Sequence, residues 1–590
     1  MLVEDIQDII EAKLMEYKKY NLAKAYIIYR YNRALVRKSN TTDETILSII
    51  KNGNKAIGRE QYNTNTSLAS IQRDLIAREV SRDLTSRILL PEEITTAHNN
   101  GLLYFHNADY FIQPIFNSSL INIEDMLDKG TVINGKMIES PKSFGVACTI
   151  LTQIIAIVAS SQYGGESVDI APLGKYLRKS YEKLKNNLTT KYKGKIKQEY
   201  LEDIIKDNLD KELKSGVQTI KYQINTLMTT TGKSPYVSLY LKLDDSDPYI
   251  IENAKIIEEI FRQRIKGIQN EEGIYDDVRF PKLIYVLDTN NNLQGGKYDY
   301  LTELAIKCSI TRDTPSFISA KVMKEQYNGN IIPPIYPNHF LTPYKDEKGK
   351  YKFNGRFNQG VVTINLPTIA ISSNKEESVF MNILDEHLDL CKEALLCKHY
   401  ALLGTTSDVS PIHFKHGAIS RLLTKEKIDR LLKNGYSTLS LGYIGLNEVI
   451  KYMKNTSPIS EEGKSFAIKI IKKIETTIKK WQQETGLGFV LYAYYDDKTS
   501  RYFLEKDKEK YGLIKNITDK EKYTSSYFLE DNTTTSYIEQ INYEKDFIKL
   551  SKGGTISKID ITPYKEDLEE LKELIRFIYN NVVYSEFIKK

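Results

Sequence analysis

Two kinds of apolar spacing organise the chain. The opening stretch, IQDIIEAKLMEYKKYNLAKAYIIYRYNRALVRK, places apolar side chains at helical intervals and breaks between Tyr17 and Asn21, which predicts two helices. From Lys38 to Ser67 the chain turns polar and rich in Asn, Thr and Gly (KSNTTDET, KNGNKAIGREQYNTNTS). That is the composition of a linker around one short helix, so a domain boundary is placed near residue 40. From Ile71 onward, long helical patterns alternate with short β-rich runs: YVSLYLKL, PKLIYVLD, VVTINL, STLSLGYIGL and GFVLYAYY. Strands separated by helices and flanked by apolar sequence predict an α/β fold with a largely parallel sheet buried on both faces, open or closed into a barrel. Residues 505 to 561 are rich in Lys, Asp, Tyr and Thr with little period, and EDLEELKELIRFIYNNVVY returns to a helix.

Composition and charge narrow the function classes. With 590 residues, 41% of them hydrophobic, the chain can bury a large core. Its 83 basic and 77 acidic side chains interleave to a net charge of +6, too small and dispersed to steer a polyanion, so no nucleic-acid partner is expected. The first residues, MLVEDIQDII, carry acids where a secretory signal has a basic cluster, and no apolar run approaches the ~20 residues of a membrane span. A cytoplasmic location and no membrane partner are expected. Cys148, Cys308, Cys391 and Cys397 are too few and scattered for a disulfide framework and read as reduced thiols.

Three local motifs fail on physical grounds. Thr231-Gly232-Lys233-Ser234 resembles the end of a phosphate-binding loop, but Leu227 stands where that loop needs a glycine for the backbone turn. His413 and His416 in HFKH offer two nitrogens without a third nearby ligand, which a zinc site requires. Cys391 continues a helical stripe with Leu384, Leu388 and Leu395 and reads as a small core residue, and Cys397 falls off that stripe.

Six collinear segments carry a family resemblance: SIQRDLIAREV, LLPEEITTAHNNGLLYFHNADYF, ESPKSFGVACTILTQIIAIVASSQYGG, GRFNQGVVTINLP, STLSLGYIGLNEVI and ETGLGFVLYAYY. Together they resemble the anaerobic (class III) ribonucleoside-triphosphate reductases over almost the whole chain. The resemblance implies a ten-stranded α/β barrel of the glycyl-radical type over residues 41–590, preceded by a helical remnant of an ATP-cone over residues 1–40. In that family a glycyl radical near the C-terminus, made by an S-adenosylmethionine-dependent activase, oxidises a cysteine at the tip of a loop threading the barrel. The thiyl so formed attacks the ribose, and a second cysteine takes part in the reduction.

Carried over residue by residue, the resemblance implies losses. Ser118 stands at the second cysteine position, and the loop-tip cysteine, counted back from Asn358, falls at Pro337. Serine keeps a polar group but is not a redox thiol. The family's HxHD signature reads Tyr104, Phe105, His106, Asn107, and the substrate-side loop after GFVLY reads AYYDDKTS. The four-cysteine zinc module and the glycyl-radical segment expected after the last helix are not found before SEFIKK, so no cofactor is assigned to this chain. His106, Asp109 and Asn358 are expected on the substrate side. The family's effector site is expected to survive at Glu139, Lys142, Gln153 and Lys183, with a deoxynucleoside triphosphate as ligand and the helix TQIIAIVAS as the subunit contact. The resulting expectation is a catalytically silent, deoxynucleotide-binding scaffold, paired with itself or with an active paralogue. A barrel component of a split reductase and a decayed gene product are the alternatives.

Overall fold

The computed structural model describes residues 3–50, 68–193, 195–230, 232, 234–278, 280–336, 338–530 and 536–589. The rejected motif's Thr231 and Lys233, and Pro337, lie outside the described residues. The chain divides into two compact units, one of Met1–Leu89 with Ala108–Ile112 and one of Leu90–Asn107 with Gln113–Lys590.

The first unit is helical, with α1 (Val3–Glu16), α2 (Tyr20–Ile50) and α3 (Ala69–Leu84). The predicted break after Tyr17 separates α1 from α2, and Arg30 ties them together through Asp8 (2.6 Å) and Glu11 (2.9 Å). The boundary expected near residue 40 falls inside α2, which runs on to Ile50. The reason is tertiary: Ile49, at the end of the Asn/Thr-rich turns, is buried with Ile71 and Leu75 of α3, and that burial outweighs weak helix propensity.

The second unit contains eleven sheet strands: β1 (Leu103–Phe105), β2 (Ser118–Ile121), β3 (Glu166–Asp169), β4 (Val237–Leu241), β5 (Lys282–Leu287), β6 (Ser316–Ser319), β7 (Arg356–Asn365), β8 (Thr438–Ile444), β9 (Gly488–Tyr492), β10 (Ser557–Asp560) and β11 (Tyr584–Ile588). Their order is β9-β8-β7-β2-β3-β4-β5-β6-β11-β10, with β1 on β7. β2 through β6 are mutually parallel, β7 runs antiparallel to β2, and β11 runs antiparallel to β6. The two ends of this path meet: Gly553 N–H donates to Leu491 O (2.8 Å) and Ala493 N–H to Gly554 O (3.1 Å), so the sheet closes. The expected ten-stranded barrel is therefore present, as two parallel five-stranded halves facing in opposite directions.

Side-chain alternation explains why the barrel holds something inside. On the outward face Val168, Leu239, Leu283 and Tyr285 join a core completed by α4 (Phe144–Ser160), α5 (Leu173–Tyr192) and α6 (Gln198–Thr226). Inward positions include the small side chains of Ser118, Ser167, Ser238 and Ser440, all buried. Residues 327–355, between β6 and β7, use that room as a loop through the barrel. His339 bonds Ser440 Oγ (2.8 Å), and Thr342 Oγ1 bonds Thr438 Oγ1 (2.9 Å). Phe340 N–H donates to Gly553 O (2.8 Å).

Candidate functional site

The flanks of that loop's turn, Tyr336 and His339, open onto a cavity of about 280 Å³ also lined by His106, Asn117, Ser118, Tyr236, Tyr492 and Tyr494. Two glycines shape its wall. A Cβ at Gly164 would sit 2.1 Å from Asn117 Oδ1 and 2.4 Å from Ser118 Oγ, and one at Gly165 would sit 2.2 Å from the Tyr336 ring. The Tyr-Gly-Gly run therefore exists so that loop and strand can approach without side chains between them.

The polar groups form a connected chain across the floor. Ser118 Oγ donates to Asn117 Oδ1 (3.1 Å), Asn117 Nδ2 to Asn358 Oδ1 (3.4 Å), and Asn358 Nδ2 to Thr438 O (2.8 Å) and Ser440 Oγ (2.9 Å). Above it the rings stack: His339 on Tyr492 at 4.1 Å, and Tyr492 on Tyr494 at 4.5 Å. Tyr494 Oη and Thr363 Oγ1 lie 3.0 and 2.8 Å from His106 Nε2. Burial pushes the His106 imidazole down to about 4, opposed by Asp496 and assisted by Lys398, so it is neutral at pH 7. Lys398 of α7 (Glu377–Leu402) donates to the His106 carbonyl (2.7 Å) and lies 3.7 Å from the Phe105 ring centroid. The sequence signal for Lys398 was a lysine set in the apolar run EALLCKHYALL.

After β9 the expected hydroxyl-rich loop is replaced by an acidic helix start. Asp496 caps α8 (Asp497–Tyr511), accepting the Thr499 N–H (3.0 Å), and Tyr494 Oη donates to Asp496 Oδ2 (3.3 Å). A carboxylate thus occupies the helix N-terminus that could otherwise receive a phosphate.

The family pattern of the anaerobic ribonucleoside-triphosphate reductases matches residues 60–590, and that of the ATP cone domain matches residues 1–35. The anaerobic ribonucleoside-triphosphate reductase of Haemophilus influenzae is 32% identical over 99% of this chain and 81% of its own length. The chain belongs to the anaerobic ribonucleoside-triphosphate reductase family. The phage T4 member is likewise 32% identical, over 90% of this chain and 86% of its own. The Thermotoga maritima anaerobic ribonucleotide reductase with dATP bound in its specificity site shares the fold, with a TM-score of 0.65 at 16% identity, covering 93% of this chain and 91% of that one.

The residues that the family resemblance singles out fall in three places. His106 and Ser118 line the cavity, Asn358 lies behind them as the acceptor of Asn117 Nδ2–H, and Pro337 is outside the described residues. Asp109, expected on the substrate side, is buried in the helical unit and paired with Arg78 at 2.6 Å, an ion pair that keeps its carboxyl below the usual range despite burial. Glu139, Lys142, Gln153 and Lys183 are all exposed. Phe144 N–H donates to Ser180 Oγ (2.8 Å), which joins the start of α4 to the turn of α5 preceding Lys183. Gln153 lies on the same outward face of α4 as half-exposed Val146, seven residues earlier. The subunit-contact reading of TQIIAIVAS is narrowed, because Ile154, Ile155 and Val158 are spent on this chain's own core.

The remaining candidates are structural. Cys148, Cys308 and Cys391 are buried in hydrophobic surroundings, where burial pushes their thiols up, and none of the four cysteines lines the cavity. His413 Nδ1 lies 2.6 Å from Ser410 Oγ, and among the described residues no three His, Cys, Asp or Glu side chains converge as metal ligands.

His339 yields a pH prediction. Burial pushes its imidazole from 6.5 down to about 3, so between these values the unfolded chain binds the proton and the folded chain does not. Its neutral contribution is complete above pH 6.5 and is lost as pH falls toward 3. At pH 4.5 the loss is about 2 to 3 kcal/mol. Urea midpoints at pH 7 and 4.5 should show His339→Gln losing less stability on acidification than the parent by about that amount. Equal losses would contradict the assignment.

Proposed function

We propose that this member of the family keeps the reductase barrel as a deoxynucleotide-binding scaffold and does not perform the radical chemistry. The observation that carries this reading is Ser118: the hydroxyl sits on the cavity wall within the Asn117–Asn358 chain, and all four cysteines lie elsewhere. A serine hydroxyl is not a reversible redox thiol, so the pocket offers no sulfur to reduce a ribose. Cavity size and charge support the same reading. A space of about 280 Å³ filled from the sides by tyrosines is at the lower end for a small-molecule pocket, and the Asp496 cap repels phosphate.

The ligand would bind on the outer surface, where Lys142 and Lys183 are exposed as phosphate partners and Gln153 as a base or ribose contact. The outward stripe through Val146 and Gln153 would meet a second copy or an active relative. A deoxynucleoside triphosphate that binds only the folded state should raise the melting temperature in a concentration-dependent way. Lys142→Ala should weaken that binding about ten- to a hundredfold, since a charge-assisted phosphate contact is worth about 1.5 to 3 kcal/mol. An unchanged shift in Lys142→Ala, or no shift with any of the four deoxynucleotides, defeats the scaffold reading.

A further inference from the structure

The larger cavity of the barrel, about 710 Å³, lies at the other mouth, where the C-terminal ends of β3, β4 and β5 meet the stems of the 327–355 loop. The proposed scaffold function makes no use of it. Its charges do not cancel. Lys242 is neutralised by Asp244 (2.7 Å) and Lys324 by Asp288 (3.1 Å). That leaves Glu124, Asp169 and Asp245 on the cavity wall with Lys352, and Asp245 Oδ1 accepts from Asn290 Nδ2 (2.9 Å). The Lys352 ammonium donates to Tyr436 Oη (2.9 Å), and burial together with Arg356 pushes it toward the neutral form.

The uncharged groups point to a ligand as well. Tyr240 and Asn290, 1% and 9% exposed, line the cavity with Tyr240 Oη and Asn290 Oδ1 buried and without a hydrogen-bond partner. Asn354 Oδ1 on the loop stem is buried and unpartnered too. A buried polar group left unmade costs about 1 to 3 kcal/mol; the two amide oxygens can only accept and the Tyr240 oxygen can accept as well, so the three suit a molecule that supplies hydrogen-bond donors. The stacked rings of Tyr351 and Phe353, 6.3 Å apart, give the wall an aromatic face on which a cation can rest.

We infer that this mouth of the barrel binds an organic amine cation of the polyamine class, with Asp169, Glu124 and Asp245 facing its ammonium groups and Tyr240 and Asn290 accepting its N–H donors. A phosphorylated ligand has the wrong sign. A single divalent ion is far smaller than the space, and no three carboxylates among the described residues converge on a point.

The test is calorimetric titration of the full chain with spermidine and putrescine, with magnesium chloride and glycerol as controls. Saturable binding of spermidine is expected, weakened about tenfold or more in Asp169→Asn and more modestly in Tyr240→Phe. Should Asp169→Asn fail to fold, Glu124→Gln, at an exposed position, must show the loss instead. The inference is overturned by absent saturation, by affinities unchanged in the variants that fold, or by magnesium or glycerol binding as well as spermidine. The deoxynucleotide-induced thermal shift should be the same in these variants as in the parent, which keeps this outcome separate from that of the scaffold reading.

Discussion

Incubated with a radical-generating activase, S-adenosylmethionine, reductant and a ribonucleoside triphosphate, the protein is expected to release no deoxynucleotide above background. The family reaction needs sulfur at two places. On the family resemblance one is the position of Ser118, whose Oγ is committed to Asn117 Oδ1 at 3.1 Å. The other, on the family resemblance, is the position of Pro337, in the sequence Tyr336-Pro337-Asn338-His339. Ser118→Cys alone should not restore turnover, because it returns one of two thiols, and Asp496 would still oppose the phosphate. Chromatographic detection of product with each of the four ribonucleotides checks this. Turnover by the unmodified chain would overturn the proposed function outright.

Arg356→Leu is expected to be the most destabilising single substitution in the barrel, costing about 3 to 5 kcal/mol or preventing folding. Arg356 opens β7 and is fully buried. Its guanidinium reaches four carbonyls: Nε donates to Tyr436 O (2.7 Å), Nη2 to Thr342 O (2.6 Å) and Gly435 O (2.6 Å), and Nη1 to Lys352 O (3.3 Å). It thereby clamps the exit of the barrel loop to the turn before β8. Burial pushes its pKa down to about 9, so it remains charged at neutral pH. Leucine would fit the apolar volume but leave those carbonyls unmade in a dry site. Arg356→Lys should recover little, because an ammonium lacks the planar fork that reaches four carbonyls at once. Denaturant unfolding of both variants provides the measurement. A loss below about 1 kcal/mol in Arg356→Leu would show that the clamp is dispensable.

The strands YVSLYLKL, PKLIYVLD, VVTINL, STLSLGYIGL and GFVLYAYY were legible because each is a long apolar run, and β4, β5, β7, β8 and β9 are buried on both faces. Of the other strands β1 has three residues, β2, β3, β6 and β10 have four, and β11 has five, as β4 and β9 do, but without so long an apolar run around it. Several carry serines on the inward face, which gives no local period to read. β11 was absorbed into the helix read through NNVVY, whereas the helix ends at Asn581 and the strand begins at Tyr584.

The site divides the same way. Residue identity alone established that no thiol stands at Ser118 or Pro337, since sulfur chemistry depends on the element present and needs no coordinates. Family motifs also grouped His106 with Asn358, 252 positions apart by number; His106 lines the cavity, and Asn358 bonds Asn117 of its wall. Neighbours brought together by barrel closure were invisible: His339 on Tyr492, Lys398 under His106, and Arg356 on the Gly435 turn. So was the pairing of Asp109 with Arg78. The reason is that a hydrogen bond or ion pair depends on distance and burial, which folding sets through contacts hundreds of residues apart, while a chain read in one dimension records only which groups are available to make them.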